Sequence, residues 1–306
     1  MVPNRDPNEL SGSRGALPLR IHRDLGFLFW DLPEPFLEPV GTYLAHYRRA
    51  AAPGDEPPLV IDGLPAPEVA NHPELLLSQG PLRVHAAGDL VTFELPHISA
   101  WCRAEQGLGG IDLRRGWRRD VDRFLTGVLP SLLGEMAQAR RSYTLHAAAV
   151  AVEGRGILLP GPSGSGKSTI FERAHRAGLG ALSDDSVWLH ESGPHDPQFQ
   201  RPGEPRIVAF PRGAPAKPAP APTLDRAPLG AIVCPRIVDT EANLLEAISP
   251  QAALQVLVAQ SGFLGRGAPG AQRFDALARA AAAVPCYALA AGRRRGEVPD
   301  ILRRLP

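Results

Sequence analysis

The stretch GPSGSGKS, residues 161–168, decides the fold that this sequence predicts. It matches the pattern G-x-x-x-x-G-K-[S/T], in which glycines without a Cβ let backbone N–H groups converge on phosphate oxygens. Lys167 would supply positive charge to the β- and γ-phosphates of ATP, and the Ser168 hydroxyl would bind Mg²⁺. The alternative is a glycine-rich turn without a ligand, which the complete motif disfavours. The predicted nucleotide-binding residues are Gly161, Ser163, Gly164, Ser165, Gly166, Lys167, Ser168 and Thr169.

The segments on either side of this loop predict a strand before it and a helix after it. Residues 145–152 are alanine, valine and leucine apart from His146, and a turn at 153–156 leads to the apolar run 157–159. This pattern predicts a hairpin with a buried second strand. Residues 167–177 predict a helix whose N-terminal amides face the anion, and Gly178 is expected to end it in the left-handed C′ position.

Two adjacent carboxylates follow this helix. Residues 180–183 predict a short strand that ends in Asp184 and Asp185, and residues 186–189 predict the next strand. Paired carboxylates suit phosphoryl transfer, because one can hold Mg²⁺ while the other accepts a proton from the attacking hydroxyl. The other interpretation, an acidic turn without chemistry, is disfavoured by the position one short helix after the loop.

Composition and charge limit the partners. Lysine and arginine together number 33 against 32 acidic residues, so no long-range attraction to nucleic acid or to an anionic membrane is expected. No stretch approaches the roughly 20 apolar residues of a membrane helix, and residues 1–14 lack the apolar core of a signal peptide. Cys102, Cys234 and Cys286 form no C-x-x-C pair, which argues against a disulfide framework and a structural zinc site. These features predict a cytoplasmic protein with reduced thiols.

The N-terminal region predicts a separate α+β domain without recognisable chemistry. The alternating runs at 19–22, 82–85 and 90–95 predict strands of a partly solvated antiparallel sheet. Residues 35–52 have apolar side chains at helical spacing and predict a helix that ends at the prolines of 53–58.

A second apolar stripe at residues 121–136 predicts a helix with Asp120 as its N-cap and a kink or break at Pro130. We place the domain boundary just after this stripe. The predicted organisation is an N-terminal α+β domain of residues 1–140, for substrate or partner binding or for oligomerisation, and a nucleotide-binding α/β domain of residues 141–306.

The segments after the carboxylates predict further elements and a second set of cations. Residues 213–228 are rich in alanine and proline and predict either a lid or substrate loop or a passive surface connection. Residues 250–260 and 274–283 predict helices, and residues 286–289 predict a strand. Phosphoryl transfer commonly uses a second cation beyond the loop lysine, and the candidates are Arg206, Arg212, Lys217 and Arg236.

Together these motifs resemble the core of HPr kinase/phosphorylase and its relatives, which share a P-loop fold with phosphoenolpyruvate carboxykinase. The resemblance covers residues 145–187 and includes the hairpin, the loop, Gly178 and Ser183-Asp184-Asp185. It implies an ATP- and Mg²⁺-dependent kinase in which Asp184 is the catalytic base and Asp185 belongs to the metal site. It also implies that His146 lies near the transferred phosphate, whereas the residue pattern alone leaves an ordinary core histidine open.

The acceptor implied by the resemblance is a serine or threonine hydroxyl. Residues 206–212 and 229–236 resemble kinase-related proteins of peptide-modification gene clusters rather than the enzyme that phosphorylates HPr. The resemblance implies a peptide or small-protein substrate, such as a ribosomal precursor peptide, or a hydroxyl-bearing metabolite, and it implies a homo-oligomer.

Two rival functions stay open from the sequence. One is a catalytically inactive scaffold that binds an extended peptide by strand addition at an exposed edge of the N-terminal sheet. The other is a nucleotide-hydrolysing switch, which is disfavoured because the sequence offers no obvious water-positioning residue.

Overall fold

The computed structural model describes residues 15–22, 25–45, 57–68, 73–191, 205–209, 224, 226–261 and 268–305. These residues form a mixed α/β structure with two β-sheets and several helices. The chain divides into two compact units. The first unit comprises Met1–Arg140, Pro211–Ala214 and Gly265–Pro269, and the second comprises Arg141–Phe210, Pro215–Leu264 and Gly270–Pro306.

The first unit contains an eight-stranded sheet with the order β1-β2-β3-β8-β7-β6-β5-β4. The strands are β1 (Leu17–His22), β2 (Leu25–Trp30), β3 (Leu59–Asp62), β4 (Glu74–Gln79), β5 (Leu82–Ala87), β6 (Leu90–Glu94), β7 (Ile98–Arg103) and β8 (Leu108–Leu113). The pairs β2/β3 and β3/β8 are parallel, and the other pairs are antiparallel. The predicted strands lie in β1, β5 and β6, which pair antiparallel, and the sheet is mostly antiparallel as the sequence predicts. The parallel pairing of β2 with β3 follows a long crossover between these two strands.

The helices of this unit depart from the predicted bounds. They are α1 (Glu34–Tyr43), α2 (Val121–Arg123) and α3 (Leu129–Met136), with a π-helical turn at Phe124–Val128 and 3₁₀ turns at Trp117–Arg119 and Ala137–Arg140. Helix α1 ends well before residue 52, after the weak helix formers Gly41 and Thr42, and residues 46–56 lie outside the described chain. The predicted break near Pro130 occurs as the π-helical turn just before α3, where proline cannot donate to the preceding turn.

Asp120 lies at the N-cap position of α2, where the sequence predicts it, but its side chain does not cap the helix. Its carboxylate makes no capping hydrogen bond within the described chain. Instead the Asp120 Oδ2 accepts from the backbone N–H of His97 at 2.9 Å, and the Oδ1 accepts from Arg123 at 3.3 Å. The side chain is 2% exposed, so it joins the strand hairpin to the helical segment from inside the unit.

The second unit contains a nine-stranded sheet that carries the candidate site. Its strands are β9 (Ser142–Leu145), β10 (Ala147–Val152), β11 (Arg155–Pro160), β12 (Gly180–Ser183), β13 (Val187–Glu191), β14 (Pro205–Ala209), β15 (Arg226–Ile237), β16 (Leu244–Ala247) and β17 (Cys286–Ala291). The order is β12-β10-β11-β15-β14-β13-β9, and β17 pairs with both β15 and β16. Strand β15 is long enough to pair with β14 through its first residues and with β17 through its last.

Helices cover both faces of this sheet. They are α4 (Lys167–Arg176), α5 (Pro250–Gln260), α6 (Ala268–Ala283) and α7 (Val298–Arg303), with a 3₁₀ turn at Arg295–Glu297. Alternate residues of β10 enter opposite cores, because successive strand side chains point to opposite faces. Ala148 and Val150 pack with α4 and α7, whereas Ala147 and Ala149 pack with α5 and α6. No helix in the described ranges is long and apolar enough to cross a membrane.

Several downstream predictions change with the structure. Helix α5 is confirmed with the predicted bounds, but α6 begins at Ala268 rather than Phe274. Residues 226–228, predicted as part of the alanine- and proline-rich connection, belong to β15, because they pair with β14. Residues 210–223 and 225 lie outside the described chain, so the lid or substrate loop and the passive connection both stay predictions.

Candidate functional site

The loop of residues 161–166 lies where two parallel strands end. It follows β11 directly, and β15 runs parallel to β11, so the carboxyl ends of both strands lie at the same edge of the sheet. The last residue of β15 reaches the loop, since a Cβ built on Gly166 would lie 2.6 Å from the Ile237 Cδ1. Ligands of open α/β sheets bind at this edge.

The glycines of the loop are required by its backbone and its packing. Gly164 and Gly166 have φ of +82° and +98°, a left-handed conformation that glycine adopts without steric cost. Gly161 is needed for another reason, because a Cβ there would lie 2.8 Å from the Ser165 Oγ. The Ser165 N–H donates to the carbonyl of Pro162 at 3.2 Å, which closes the turn.

Helix α4 presents its N-terminus to the loop. Gly166 is the N-cap and makes no side-chain cap hydrogen bond, and the first bond of the helix runs from the Ile170 N–H to the Gly166 carbonyl at 2.9 Å. The amides of Lys167, Ser168 and Thr169 therefore have no acceptor within the helix. Unpaired amides at the positive end of a helix dipole form an anion site.

The other end of α4 confirms the predicted stop. Gly178 has φ of +82° and its N–H donates to the His175 carbonyl at 2.9 Å. The Leu179 N–H donates to the Ala174 carbonyl at 3.0 Å, which completes a Schellman motif. The chain then returns directly into β12, which brings the two aspartates back to the loop edge of the sheet.

Lys167 is held against the loop itself. Its Nζ donates to the carbonyls of Gly161 at 2.6 Å and Pro162 at 3.0 Å, and the residue is 5% exposed. Burial lowers the pKa of the Lys167 ammonium, and the negative charge of Asp185 opposes this shift. The ammonium thus lies beside the helix N-terminus with its charge balanced by backbone dipoles and a carboxylate.

A cleft of about 320 Å³ opens over the loop. The residues that line it are His146, Ser163, Gly164, Gly166, Lys167, Ser168, Thr169, Asp185 and Ile237. All but Ile237 are predicted site residues. Ile237 was not predicted as a site residue, because an apolar residue in a strand gives no sign of a binding role. Only the pairing of β15 with β11 brings it to the loop.

His146 occupies a break between two strands. Residues 145–152 are not the single strand that the sequence predicts, because β9 pairs with β13 whereas β10 pairs with β11 and β12. At the break, the His146 N–H donates to the Gln260 carbonyl at 2.8 Å. The His146 Nδ1 lies 3.5 Å from the Asp185 Oδ1, so both side chains face the cleft.

The two aspartates occupy different environments. The Asp185 side chain is 63% exposed and lines the cleft, whereas Asp184 is 9% exposed and is not among the lining residues. This asymmetry arises because Asp184 follows the buried end of β12 and Asp185 lies in the bend that leads to β13. Asp185 is therefore the carboxylate that the structure brings to Lys167 and His146.

Of the candidate second cations, the two that the structure describes, Arg206 and Arg236, are not among the residues that line the cleft. Arg206 is 1% exposed within β14, opposite Pro228 of β15. Arg236 is exposed near the end of β15, and Arg212 and Lys217 lie outside the described residues. Arg293, in the run of three arginines at residues 293–295, pairs with Asp239 at 2.8 Å.

The oxygen donors of the cleft fit Mg²⁺. In the described ranges no group of three or more histidine, cysteine, aspartate or glutamate side chains is placed to hold a metal ion. Mg²⁺ does not need such a cage, because it is usually held by one or two protein oxygens together with substrate phosphates and water. The Ser168 hydroxyl and the Asp185 carboxylate are donors of this kind in the lining of the cleft.

Comparisons with known proteins do not show a family for this chain. No family model matches the sequence, and no curated protein matches it. Among solved structures, the Hpr(Ser) kinase/phosphatase from Coxiella burnetii is similar at 11% sequence identity and a TM-score of 0.25, over 53% of this chain and 87% of that one.

Proposed function

We propose that this protein is an ATP- and Mg²⁺-dependent phosphotransferase whose acceptor is a serine or threonine hydroxyl of a peptide or small protein. The observation that carries the proposal is the composition of the cleft. Unpaired α4 amides, the Lys167 ammonium, the Ser168 hydroxyl and the His146–Asp185 pair all line one volume of about 320 Å³. A phosphate-binding end and a proton-accepting end therefore share one cavity.

The phosphate-binding end uses groups that are already positioned. The amides at the start of α4 bind phosphate oxygens through hydrogen bonds that require no change of the helix. Lys167 then exchanges its bonds to the carbonyls of Gly161 and Pro162 for bonds to the β- and γ-phosphates. Charge-assisted bonds to a phosphate are stronger than those to a neutral carbonyl, which drives this exchange.

Ser168 and Asp185 would hold Mg²⁺ when it is bound. The cation would neutralise charge on the β- and γ-phosphates during transfer. The chain supplies orientation, because Ser168 is fixed in the first turn of α4 and Asp185 follows β12.

The proton-accepting end completes the reaction. The acceptor oxygen attacks the γ-phosphorus, the bond from that phosphorus to the β–γ bridging oxygen breaks, and ADP leaves. The hydroxyl proton passes to a carboxylate of the Asp184–Asp185 pair. Asp185 is the member in the cleft, and the neighbouring His146 orients its carboxylate.

The first test measures nucleotide binding and transfer together. Calorimetry should show that Lys167→Ala weakens Mg-ATP binding at least about tenfold, because the loop amides alone do not balance a triphosphate. Arg155→Ala is the matched control for charge, because Arg155 is exposed and does not line the cleft, and this variant should bind Mg-ATP normally. Serine-containing peptides incubated with Mg-ATP should gain one phosphate in mass spectrometry, and alanine-substituted copies should not. Equal affinity of Lys167→Ala and parent would refute the phosphate site.

The second test separates the aspartates. Asp185→Asn should lower turnover by about 10²–10⁴-fold, since an amide neither accepts the proton nor binds a hard cation well. Asp184→Asn should retain more activity, because the Asp184 side chain is buried away from the lining. Kinetics at several Mg²⁺ concentrations distinguish a metal defect, which added Mg²⁺ rescues, from loss of the base. A larger loss of turnover in Asp184→Asn than in Asp185→Asn would instead support the roles that the family resemblance implies, with Asp184 as the base and Asp185 at the metal site.

A peptide-binding scaffold is the second candidate, and it is favoured by strand β4. This edge strand includes three consecutive leucines, none of its six residues is buried, and Leu75 is 49% exposed. An extended peptide could pair with such an edge. Peptide binding without any phosphate gain in the presence of Mg-ATP would support this candidate instead.

A further inference from the structure

An unusual concentration of arginine lies in the first unit, far in sequence from the cleft. Residues 114–123 read RRGWRRDVDR and hold five arginines and two aspartates, in a chain whose net charge is only +1. All five arginines are exposed. We refer to these residues as the arginine segment.

Three of these arginines have no acidic partner among the described residues. Arg114 pairs with Asp112 at 3.4 Å and Arg123 pairs with the buried Asp120 at 3.3 Å. Within the described part of the chain, Arg115, Arg118 and Arg119 form no ion pair. Three unneutralised guanidinium groups within five residues repel one another, and an anionic partner would relieve that repulsion.

The backbone of the segment is fixed from both ends. The Arg114 N–H donates to the His97 carbonyl at 3.0 Å, and the next turns are closed by bonds from Trp117 to Arg114 and from Arg119 to Gly116, both at 3.0 Å. The Trp117 ring packs edge-on against the buried Phe36 with ring centres 5.5 Å apart. The arginines therefore project from an ordered surface and lose little backbone entropy on binding.

The stacking of one guanidinium also prepares it for a ligand. The Arg118 Cζ lies 4.6 Å from the centre of the Trp117 ring. Stacking on the ring face leaves the N–H groups at the rim of the guanidinium available for hydrogen bonds. A planar fork of donors in this state matches a carboxylate in a bidentate pair.

We propose that the arginine segment is a docking surface for an acidic segment of a partner polypeptide. Spaced carboxylates suit the surface better than a continuous phosphate backbone, because the exposed Asp122 and the partly exposed Asp112 interrupt the positive charge. Carboxylates on a flexible peptide can pair with individual arginines and avoid both aspartates. The docking surface does not include the nucleotide site, so the experiment below tests it independently of the proposed phosphotransfer.

The experiment uses the full chain and fluorescence anisotropy with fluorescein-labelled hexaglutamate as the probe. Labelled hexaglutamine has the same length without charge, and a labelled ten-residue oligothymidine represents nucleic acid. The test variant is Arg115→Gln, Arg118→Gln and Arg119→Gln combined. The matched control is Arg83→Gln, Arg155→Gln and Arg304→Gln, which removes the same charge from exposed arginines elsewhere.

We expect hexaglutamate to bind the parent and hexaglutamine not to bind. The affinity of the test variant should fall at least about tenfold, and that of the control variant should change by less than about twofold. Only the test variant removes guanidinium groups that are clustered in the arginine segment. Equal losses of hexaglutamate affinity in both variants would show that the peptide responds only to the net charge of the protein, and this would overturn the docking surface. Failure of hexaglutamate to bind would also overturn it, and tighter binding of oligothymidine at the same salt concentration would replace it with a nucleic-acid surface. Thermal unfolding of both variants checks that a loss of affinity is not a loss of fold.

Discussion

At the scale of single residues, the hydroxyl of Ser165 is the least satisfied group of the loop. Ser165 is 7% exposed, and its Oγ has no hydrogen-bond partner among the described residues. It lies beside Gly161, whose carbonyl accepts from Lys167 at 2.6 Å. In the proposed exchange, Lys167 leaves this carbonyl for a phosphate, and we expect the neighbouring Ser165 hydroxyl to donate to the carbonyl in its place.

Ser165→Ala should therefore change stability and binding in opposite directions. A buried hydroxyl without a partner costs about 1–3 kcal/mol, so its removal should raise the free energy of unfolding without nucleotide by about 1 kcal/mol. The same change should weaken Mg-ATP binding several-fold, because the loaded loop loses a hydrogen bond. Urea unfolding and calorimetry measure the two effects.

The neighbouring Ser163→Ala serves as the control, because Ser163 is exposed on the same loop. It should leave the free energy of unfolding nearly unchanged. If the Ser165→Ala protein is less stable than the parent and binds Mg-ATP equally well, the Ser165 hydroxyl does not replace Lys167 as the donor to the Gly161 carbonyl.

At the scale of elements, the approach of β15 to the start of α4 is the contact that shapes the cleft. Gly164 and Gly166 both have positive φ, but among the described residues only Gly166 has a neighbour from another element. A Cβ on Gly164 would meet no described atom within 4 Å, whereas on Gly166 it would meet Ile237 at 2.6 Å. The two glycines thus separate a backbone effect from a packing effect.

Gly166→Ala should cost more stability than Gly164→Ala. Both substitutions place a Cβ in a left-handed conformation, which costs about 1–2 kcal/mol. Gly166→Ala also meets the Cδ1 at the end of the exposed Ile237 side chain, which can move, so the added cost should lie below the roughly 1–3 kcal/mol of overpacking a core. Urea unfolding of the two variants measures the difference.

A further Ile237→Ala in the Gly166→Ala background should recover part of that difference, because it removes the clashing side chain. Equal losses in the two single variants, or no recovery in the double variant, would mean that β15 does not approach the loop as described.

At the scale of the whole molecule, the reactivity of the cysteine thiols can be used to follow the unfolding of both units. Within the described residues all three are free thiols, with Cys102 in the first unit and Cys234 and Cys286 in the second. Burial raises the pKa of the Cys234 thiol to about 12, and the nearby Cys286 adds to the shift. Burial also raises the pKa of Cys102 and of Cys286.

We expect the native protein to resist thiol reagents at pH 8. A pKa of about 12 leaves roughly 10⁻⁴ of the Cys234 thiol as the reactive thiolate, far less than for an ordinary cysteine. Labelling should begin only as urea unfolds the chain, and peptide-resolved mass spectrometry should assign a midpoint to each unit. Rapid labelling of Cys234 in the native protein would contradict its burial.

The sequence by itself determined the local features of the site. The glycine loop, the start of α4 at Lys167, its stop at Gly178 and the bounds of α5 all follow from short-range effects: positive φ at glycine, unpaired helix amides, and helical spacing of apolar residues. Each depends on residues within a few positions of one another, so a linear pattern contains the information.

Only the tertiary structure decided which distant residues meet. An apolar strand pattern reports burial but not the partner strand, so it predicted neither the dual pairing of β15 nor the placement of Ile237 against the loop. The break at His146 arises because β9 and β10 pair with different strands. The choice of Asp185 over Asp184 for the cleft likewise depends on the bend after β12. These contacts join residues tens of positions apart, and their free energy comes from packing that no local pattern encodes.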